Sequence, residues 1–485
     1  MDQIKDPLAK IKDIPPYKKN RVIFGSIAGI FLLVLVVGLV MNILSDDGPG
    51  PLAPRITLTI WDPLDNEDAY REIIQNYKRL NPNITIEYES KRIEEKGVSI
   101  GESYRDLITE ALASGEGPDI YLIGNNWLSI EKSRLTPLNP EPQTNRRTTT
   151  PPEGTGINPA AIMGEFPDVV RFDFTREEGG DTRIYALPMF LDSLALYYNE
   201  DYFNTHNILQ PPATWEEFVD YSKQIRILGE GNEVKLAGAA LGAADTHGVI
   251  QGNDNVNNAA DIVSLLMLQA GAQMNDQFGR VTFDNPVQKD NKKFFPSRDA
   301  FAFYTSFADP ASENYTWDPE GFFNVDAFAN GTAAMMLNYE NQRSTIRDKN
   351  PNLNFSIGSA PQPADRFDKV NYANYWGMAV AKVSEHPEVA WDFIRFATSE
   401  ERAKLYLQKT ERPPALESLI DDFQDDPELR IFANQILTAK SWRQPNPFET
   451  ENILNNSIKD ALAGDGLSSV VSNAQNKINS LGITR

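Results

Sequence analysis

Hydrophobic positions along the 485 residues fall into patterns of different period. From Val22 to Leu44 no charge interrupts about 23 residues, the length of a tilted helix across a ~30 Å hydrocarbon core. ITLTI (56–60) and NITIEY (83–88) alternate instead, which predicts strands, and GPDIYLIG (117–124) predicts a third. Between the first two, Tyr70, Ile73, Ile74, Tyr77 and Leu80 recur at helical spacing, with Asp65 as cap, Asp68 three residues on, and Asn81-Pro82 as the stop. Tyr104, Leu107, Ile108, Ala111 and Leu112 predict a second helix that closes near Gly115. This succession implies right-handed crossovers and a parallel sheet, whose ligand crevice lies outside the strands' carboxyl ends. Trp61-Asp62 and Asn125-Asn126-Trp127 occupy those ends and are the first candidate site residues.

LPMFLDSLALYYNED (187–201) is apolar until Asp192 breaks it, and an unpaired buried charge costs several kcal/mol. PPATWEEFVDYSKQIRIL then predicts a helix capped by Thr214 with Glu217. A Gly/Ala-rich stretch (234–243) is expected as strand, QGNDNVNN (251–258) as loop and DIVSLLMLQAGA as helix. FNVDAFANGTAAMMLNYENQ (323–342) predicts helix, turn and buried strand, with Asn338-Tyr339-Glu340 at its end. NYWGMAVAKV (374–383) is a further strand, and 386–407 is helical. The Pro/Thr-rich segment 140–156 is expected as a surface insertion, and the C-terminal part is mostly helical patterns.

Charge gives the apolar run an orientation. Lys5, Lys10, Lys12, Lys18, Lys19 and Arg21 precede it and Asp46 and Asp47 follow, so the positive-inside rule puts the N-terminus in the cytoplasm and everything after Ser45 outside. The run is too long for a signal peptide and no small-x-small site follows, so a single-pass transmembrane helix is expected, with GPGPLAPR (48–55) as spacer. The net charge of −22 repels phosphate backbones, which argues against a nucleic-acid partner. Without cysteine there are no disulfides, thiol nucleophiles or lipid-modified cysteine anchors. The three histidines, His206, His247 and His386, show no metal spacing, and no GxGxxG, P-loop or GxSxG is present. The expectation is therefore a binding protein rather than an enzyme, with no cofactor and no metal.

Strand ends pair aromatic residues with amides and carboxylates: Trp61 with Asp62, Trp127 with Asn126, Tyr339 with Asn338 and Glu340, Tyr375 with Trp376. Sugar rings offer CH faces to aromatic planes and hydroxyl edges to amides and carboxylates, so the mixture suits a carbohydrate. Two other readings compete with capture of a solute. One is a surface glycoside hydrolase using two cleft carboxylates; the other is an adhesion or sensory module.

The segments WDPLDNEDAYREIIQNYKRLNPNITIEY, GPDIYLIGNNWLSIEKSRLTPL, YALPMFLDSLALYYNEDYFNTHNILQPPATWEEF and AFANGTAAMMLNYENQ, in that order, resemble extracellular solute-binding proteins of family 1, the maltose and multiple-sugar binders of ABC importers. The resemblance covers residues 56 to 480. It implies an α/β, bilobed, periplasmic-binding-protein-like fold of type II, its lobes joined by crossing strands and closing on ligand like a hinge. The apolar run and its flanking charges set a cytoplasmic tail (1–21), the helix (22–44) and a linker (45–55), and the resemblance implies lobe one (56–190 and 377–425) and lobe two (191–376 and 426–485). Implied partners are a small-molecule ligand, a carbohydrate by this reading, and importer permease subunits. Ligand-facing residues transfer as Trp61, Asp62, Asn126 and Trp127 from lobe one, Asp192 at the crossing, and Asn253, Asp254, Asn338, Tyr339 and Glu340 from lobe two. Trp376, Arg412 and Trp442 follow from looser flanking matches.

Overall fold

A computed structural model describes residues 54–92, 100–139, 158–245, 255–289 and 291–482. Met1–Arg55 is a unit of its own, so the account concerns Ile56–Arg485. The apolar run 22–44, the insertion at 140–156 and the site candidates Asn253 and Asp254 lie outside the described residues. Among the described residues no helix is long and apolar enough to cross a membrane.

The alternating segments form strands where the period requires. In the first half, β1 (Ile56–Asp62) pairs in parallel with both β2 (Ile84–Ser90) and β3 (Ile120–Gly124). The connecting helices are α1 (Glu67–Leu80) and α2 (Ile100–Ser114). Helix α1 starts after Asn66 with no side-chain cap. The expected cap, Asp65, has its carboxylate engaged elsewhere, by Tyr406 at 2.6 Å and Arg412 at 2.9 Å. Two later strands complete the sheet: β4 (Ala186–Pro188), and further along a strand at Trp376–Val380, which pairs antiparallel with both β3 and β4. Helices Pro387–Ala397 and Glu400–Thr410 cover this first core, separated where Ser399 turns extended.

The second core forms around a three-stranded antiparallel sheet whose central strand is Ala195–Asn199, flanked by Met335–Asn338 and Phe355–Ser359. Helix α3 (Trp215–Ile225) begins with the expected capping box, in which Thr214 and Glu217 satisfy each other's backbone N–H. Helix α4 (Ala259–Ala270) is apolar on nearly all faces because it lies inside this core. Of the stretch expected as a strand from 234 to 243, Val234–Leu236 forms a short strand and Ala237 adds a single parallel bridge to Ala333. Beyond it, Gly238 passes so close to α3 that an added Cβ would stand 1.9 Å from the Ser222 carbonyl oxygen, and Gly242 holds φ at +108°. Glycine and alanine here serve close approach of backbones, beside fragmentary β pairing with residues 332–335. Helices α5 (Pro447–Leu462) and α6 (Leu467–Leu481) complete this lobe, with Leu454, Ile458, Val471, Ala474 and Ile478 in its core.

Two separate apolar cores therefore exist. One gathers Leu58, Ile60, Tyr104, Ile123, Leu187, Met378 and Phe393, the other Leu196, Phe218, Val263, Phe301 and Leu337. The chain passes between them at Leu191 to Leu194 and again at Tyr372 to Ala373, and the crossing segments pair with each other. Asp192–Ser193 lies antiparallel to Asn371–Asn374, with Asn374 opposite Asp192, and Ala439–Lys440 adds a parallel third strand. Asp173, 4% exposed, ties this junction: it accepts from Asn125 Nδ2 (3.0 Å), from Tyr375 hydroxyl (2.7 Å) and from Ser441 hydroxyl.

Two stability outcomes follow from these contacts. Gly238→Ala forces the Ser222 backbone to move, and we expect a loss of ~3 kcal/mol in urea unfolding; an unchanged midpoint would refute the close approach. Burial pushes the Asp173 carboxyl up to about 6, against its three hydrogen bonds. A raised acid binds its proton more tightly folded than unfolded, so its stabilisation is complete below pH ~4 and lost as pH rises through ~6, by up to about 3 kcal/mol. Asp173→Asn removes that component, and unfolding free energy plotted from about pH 4 to 7 should fall less steeply than in the unaltered chain.

Candidate functional site

Between the two cores lies a cavity of about 440 Å³, within the size range of small-molecule sites. Its lobe-one wall begins at the β1–α1 loop. Asp62 is fully buried there, its Oδ1 accepting from the N–H groups of Leu64 (2.6 Å) and Asp65 (3.1 Å). Burial first, and Asp65 second, push its carboxyl above the usual range. The carboxylate thus shapes the turn that delivers Leu64 to the cavity, and does not line the cavity itself. Trp61 is also behind the wall: Lys91 Nζ stands 4.0 Å from its ring centroid and its carbonyl accepts from Tyr104 hydroxyl.

The loop after β3 behaves differently. Gly124, Asn126 and Trp127 all line the cavity. Trp127 folds back over the strand end so closely that a Cβ on Gly124 would come within 2.6 Å of its Nε1, so only glycine fits. Its ring meets Trp376 at 4.7 Å between centroids and Phe448 at 5.2 Å, both near edge-on. Phe448 belongs to the first turn of α5, from the second lobe, and reaches across to the first.

At the crossing, Asp192 lines the cavity with both oxygens occupied: Oδ1 accepts from Ser193 N–H (2.7 Å) and Oδ2 from Glu340 N–H (2.9 Å). Burial, then the neighbouring Glu340, raise its carboxyl well above the usual range. Arg412 approaches from lobe one, its guanidinium 2.9 Å from Asp65 and 4.4 Å from the centroid of Phe190. Burial lowers its pKa but Tyr406, Asp65 and Asp62 outweigh this, so the guanidinium stays charged.

The lobe-two wall follows strand 335–338. Tyr339 and Glu340 line the cavity; Tyr197 hydroxyl donates to the Tyr339 carbonyl at 2.6 Å, and Glu340 pairs with Arg343 at 2.9 Å. Tyr339 hydroxyl donates to Asp261 Oδ2 (2.7 Å), to which Asn374 Nδ2 adds a longer bond (3.3 Å). Burial pushes Asp261 up to about 6.

Seven of the sequence candidates thus share one cavity: Asn126, Trp127, Asp192, Tyr339, Glu340, Trp376 and Arg412. Trp61, Asp62, Asn338 and Trp442 stand behind its walls. Asn338 is buried and accepts from Asn258 Nδ2 at 2.9 Å, and Trp442 is 1% exposed with its Nε1 on Ser264 Oγ. Asp62, Asn338 and Trp442 each bond a neighbour that does line the cavity, Leu64, Asn258 and Ser264 respectively, whereas Trp61 contacts Lys91 and Tyr104 instead. Sequence reasoning missed Asn257, Asn258, Asp261 and Asn374, and the first turns of α5. There Pro447, Phe448, Thr450, Glu451 and Leu454 repeat at helical spacing on the cavity side. Polar residues within that otherwise inward stripe were the available signal.

Comparison with known proteins places this geometry. The family model described as bacterial extracellular solute-binding protein matches residues 63–404. A probable ABC transporter-binding protein of Deinococcus radiodurans is 23% identical over 311 residues, 64% of this chain; the match spans only 65% of that relative. A cyclic α-maltosyl-1,6-maltose binding protein from Arthrobacter globiformis superposes with a TM-score of 0.67 at 16% identity, over 88% of this chain and 99% of that one. A solute-binding protein from Thermotoga lettingae, bound with α-D-tagatose, gives 0.61 at 18% identity over 88% and 99%. These structures share the bilobed fold. With the family model covering most of the chain and the cavity lying between its two lobes, the chain belongs to the bacterial extracellular solute-binding protein family.

Proposed function

We propose that the chain captures a carbohydrate outside the cell by hinge closure of its lobes and hands it to an ABC importer, without catalysing a reaction on it. The observation that carries this reading is the composition of the interlobe cavity. Trp127, Trp376 and Phe448 present ring surface for sugar CH faces, and Asn126, Asn257, Asn374, Gln444 and the carboxylates present edges for hydroxyls. The similar solved structures, described with tagatose or a cyclic maltosyl sugar, support the ligand class. The Deinococcus relative supports the transporter.

Trp61, Asp62, Asn253, Asp254, Asn338 and Trp442 act as supporting or unplaced positions in this proposal, and the seven cavity-lining candidates as direct contacts. Residues 22–44 serve as the uncleaved single-pass anchor, with residues 45–55 as the tether.

Titration with a panel of mono- and oligosaccharides, followed by tryptophan fluorescence, tests the ligand class, since Trp127 and Trp376 border the cavity. At least one sugar should change the signal, and Trp376→Ala should weaken its binding by ten-fold or more, on the order of 1.4 kcal/mol. Silence across the panel would contradict the reading, and release of reducing ends from any oligosaccharide would contradict the absence of catalysis. For the anchor, the full chain should sediment with membranes, whereas a chain beginning at Ser45 should stay in the supernatant.

A further inference from the structure

Three segments far apart in sequence meet at one guanidinium. Arg343, 5% exposed, lies in the first turn of the helix Gln342–Lys349, just after the cavity residues Tyr339 and Glu340. Its Nε donates to Glu340 Oε1 (2.9 Å), its Nη1 to Glu428 Oε2 (2.9 Å) and its Nη2 to the Glu411 backbone carbonyl (3.2 Å). Each guanidinium nitrogen thus serves a different segment.

Two of these partners belong to lobe two. Glu340 is part of its cavity wall, and Glu428 precedes the helix Leu429–Gln435, whose Phe432 lies in the lobe-two core. The third belongs to lobe one. Glu411 follows the helix Glu400–Thr410, whose Tyr406 and Leu407 lie in the lobe-one core, and it precedes Arg412, which lines the cavity from that side. Glu411 holds φ at +54°, a conformation that residues other than glycine rarely adopt. Its own carboxylate stands 3.8 Å from Nη2 and is 76% exposed, so water screens it. The contact that counts is the charge-assisted bond to its carbonyl, which joins the two lobes beside the cavity.

We infer that Arg343 is a positioning residue: from lobe two it grips the lobe-one turn at Glu411, and thereby sets the separation of Arg412 on one cavity wall from Glu340 on the other. The inference rests on the two-lobed clamp of the proposed function and not on the nature of the solute. Charge balance alone is the competing explanation, since Glu340 and Glu428 are both largely buried carboxylates beside the guanidinium. Lysine separates the two. It keeps the positive charge next to both carboxylates, but its single nitrogen cannot hold three segments in the planar geometry of the guanidinium fork.

The test needs no ligand. In the full chain in detergent, Glu72→Cys and Phe322→Cys, both at exposed positions, carry spin labels on the two lobes, and pulsed electron resonance reads the distance between them. We expect Arg343→Lys to broaden the distribution and move its mean by about 2 Å or more, and Arg343→Met to do the same. Glu428→Ala, which frees one of the three bonds, should move it less and in the same direction. A distribution that Arg343→Lys leaves unchanged overturns the inference, whatever Arg343→Met does, because charge alone then suffices. If neither Arg343 variant folds, an unchanged distribution in Glu428→Ala overturns it. A distribution that responds to a bound sugar but not to Arg343→Lys removes this inference alone and leaves the clamp standing.

Discussion

Everything in this molecule depends on how a polypeptide passes between two hydrophobic cores without leaving its polar groups stranded. The crossing at 191–194 can be neither wholly apolar, because it meets the cavity, nor freely charged, because it is buried. Asp192 meets both demands. Its carboxylate accepts the N–H of Ser193 within its own strand and the N–H of Glu340 at the end of a lobe-two strand, so the crossing and the cavity wall are fixed to one another. Asn374 faces it from the neighbouring crossing strand and reaches on to Asp261. The carboxylate that interrupts an apolar run is thereby neither an unsatisfied charge nor an ion pair; backbone amides satisfy it.

The same economy governs the rest of the site. Carboxylates near the cavity hold backbone or side chains in place. Asp62 closes a turn and Asp65 holds Arg412 in place. Asp173 gathers Asn125, Tyr375 and Ser441 at the junction of the crossing strands. Burial raises several of them above the usual carboxylate range, Asp261 at the cavity wall among them.

Period and punctuation in the sequence carried the elements well, for physical reasons that can be named. Strand β1 alternates because one face is buried, α1 repeats at 3.6 because it rests on the sheet, and Thr214 with Glu217 is a local cap that needs nothing from the tertiary fold. Where tertiary contacts decide, local pattern was silent. Residues 237 to 243 carry strand-like composition but owe it to the approach of Gly238 to α3. Trp61, Asp62 and Asn338 sit one layer too deep, because strand-end position tells that a residue is near a crevice and not which way its side chain points, and Trp442, carried by a loose flanking match, is buried as well. Asp261 and the first turns of α5 escaped notice because a cavity-facing residue inside an amphipathic helix carries the same spacing as a core residue.

The central claim is that the lobes move as two bodies about the crossing strands and clamp a solute between them. The chain lacks cysteine, so replacing Glu72 on lobe one and Phe322 on lobe two, both exposed, leaves two thiols for spin labels. The distance between the labels, measured by pulsed electron resonance with and without a bound sugar, tests the claim most directly. A shift of several ångströms to a single, narrower distribution when sugar binds is what the account predicts. An identical distribution in the presence of a sugar shown to be bound would contradict it.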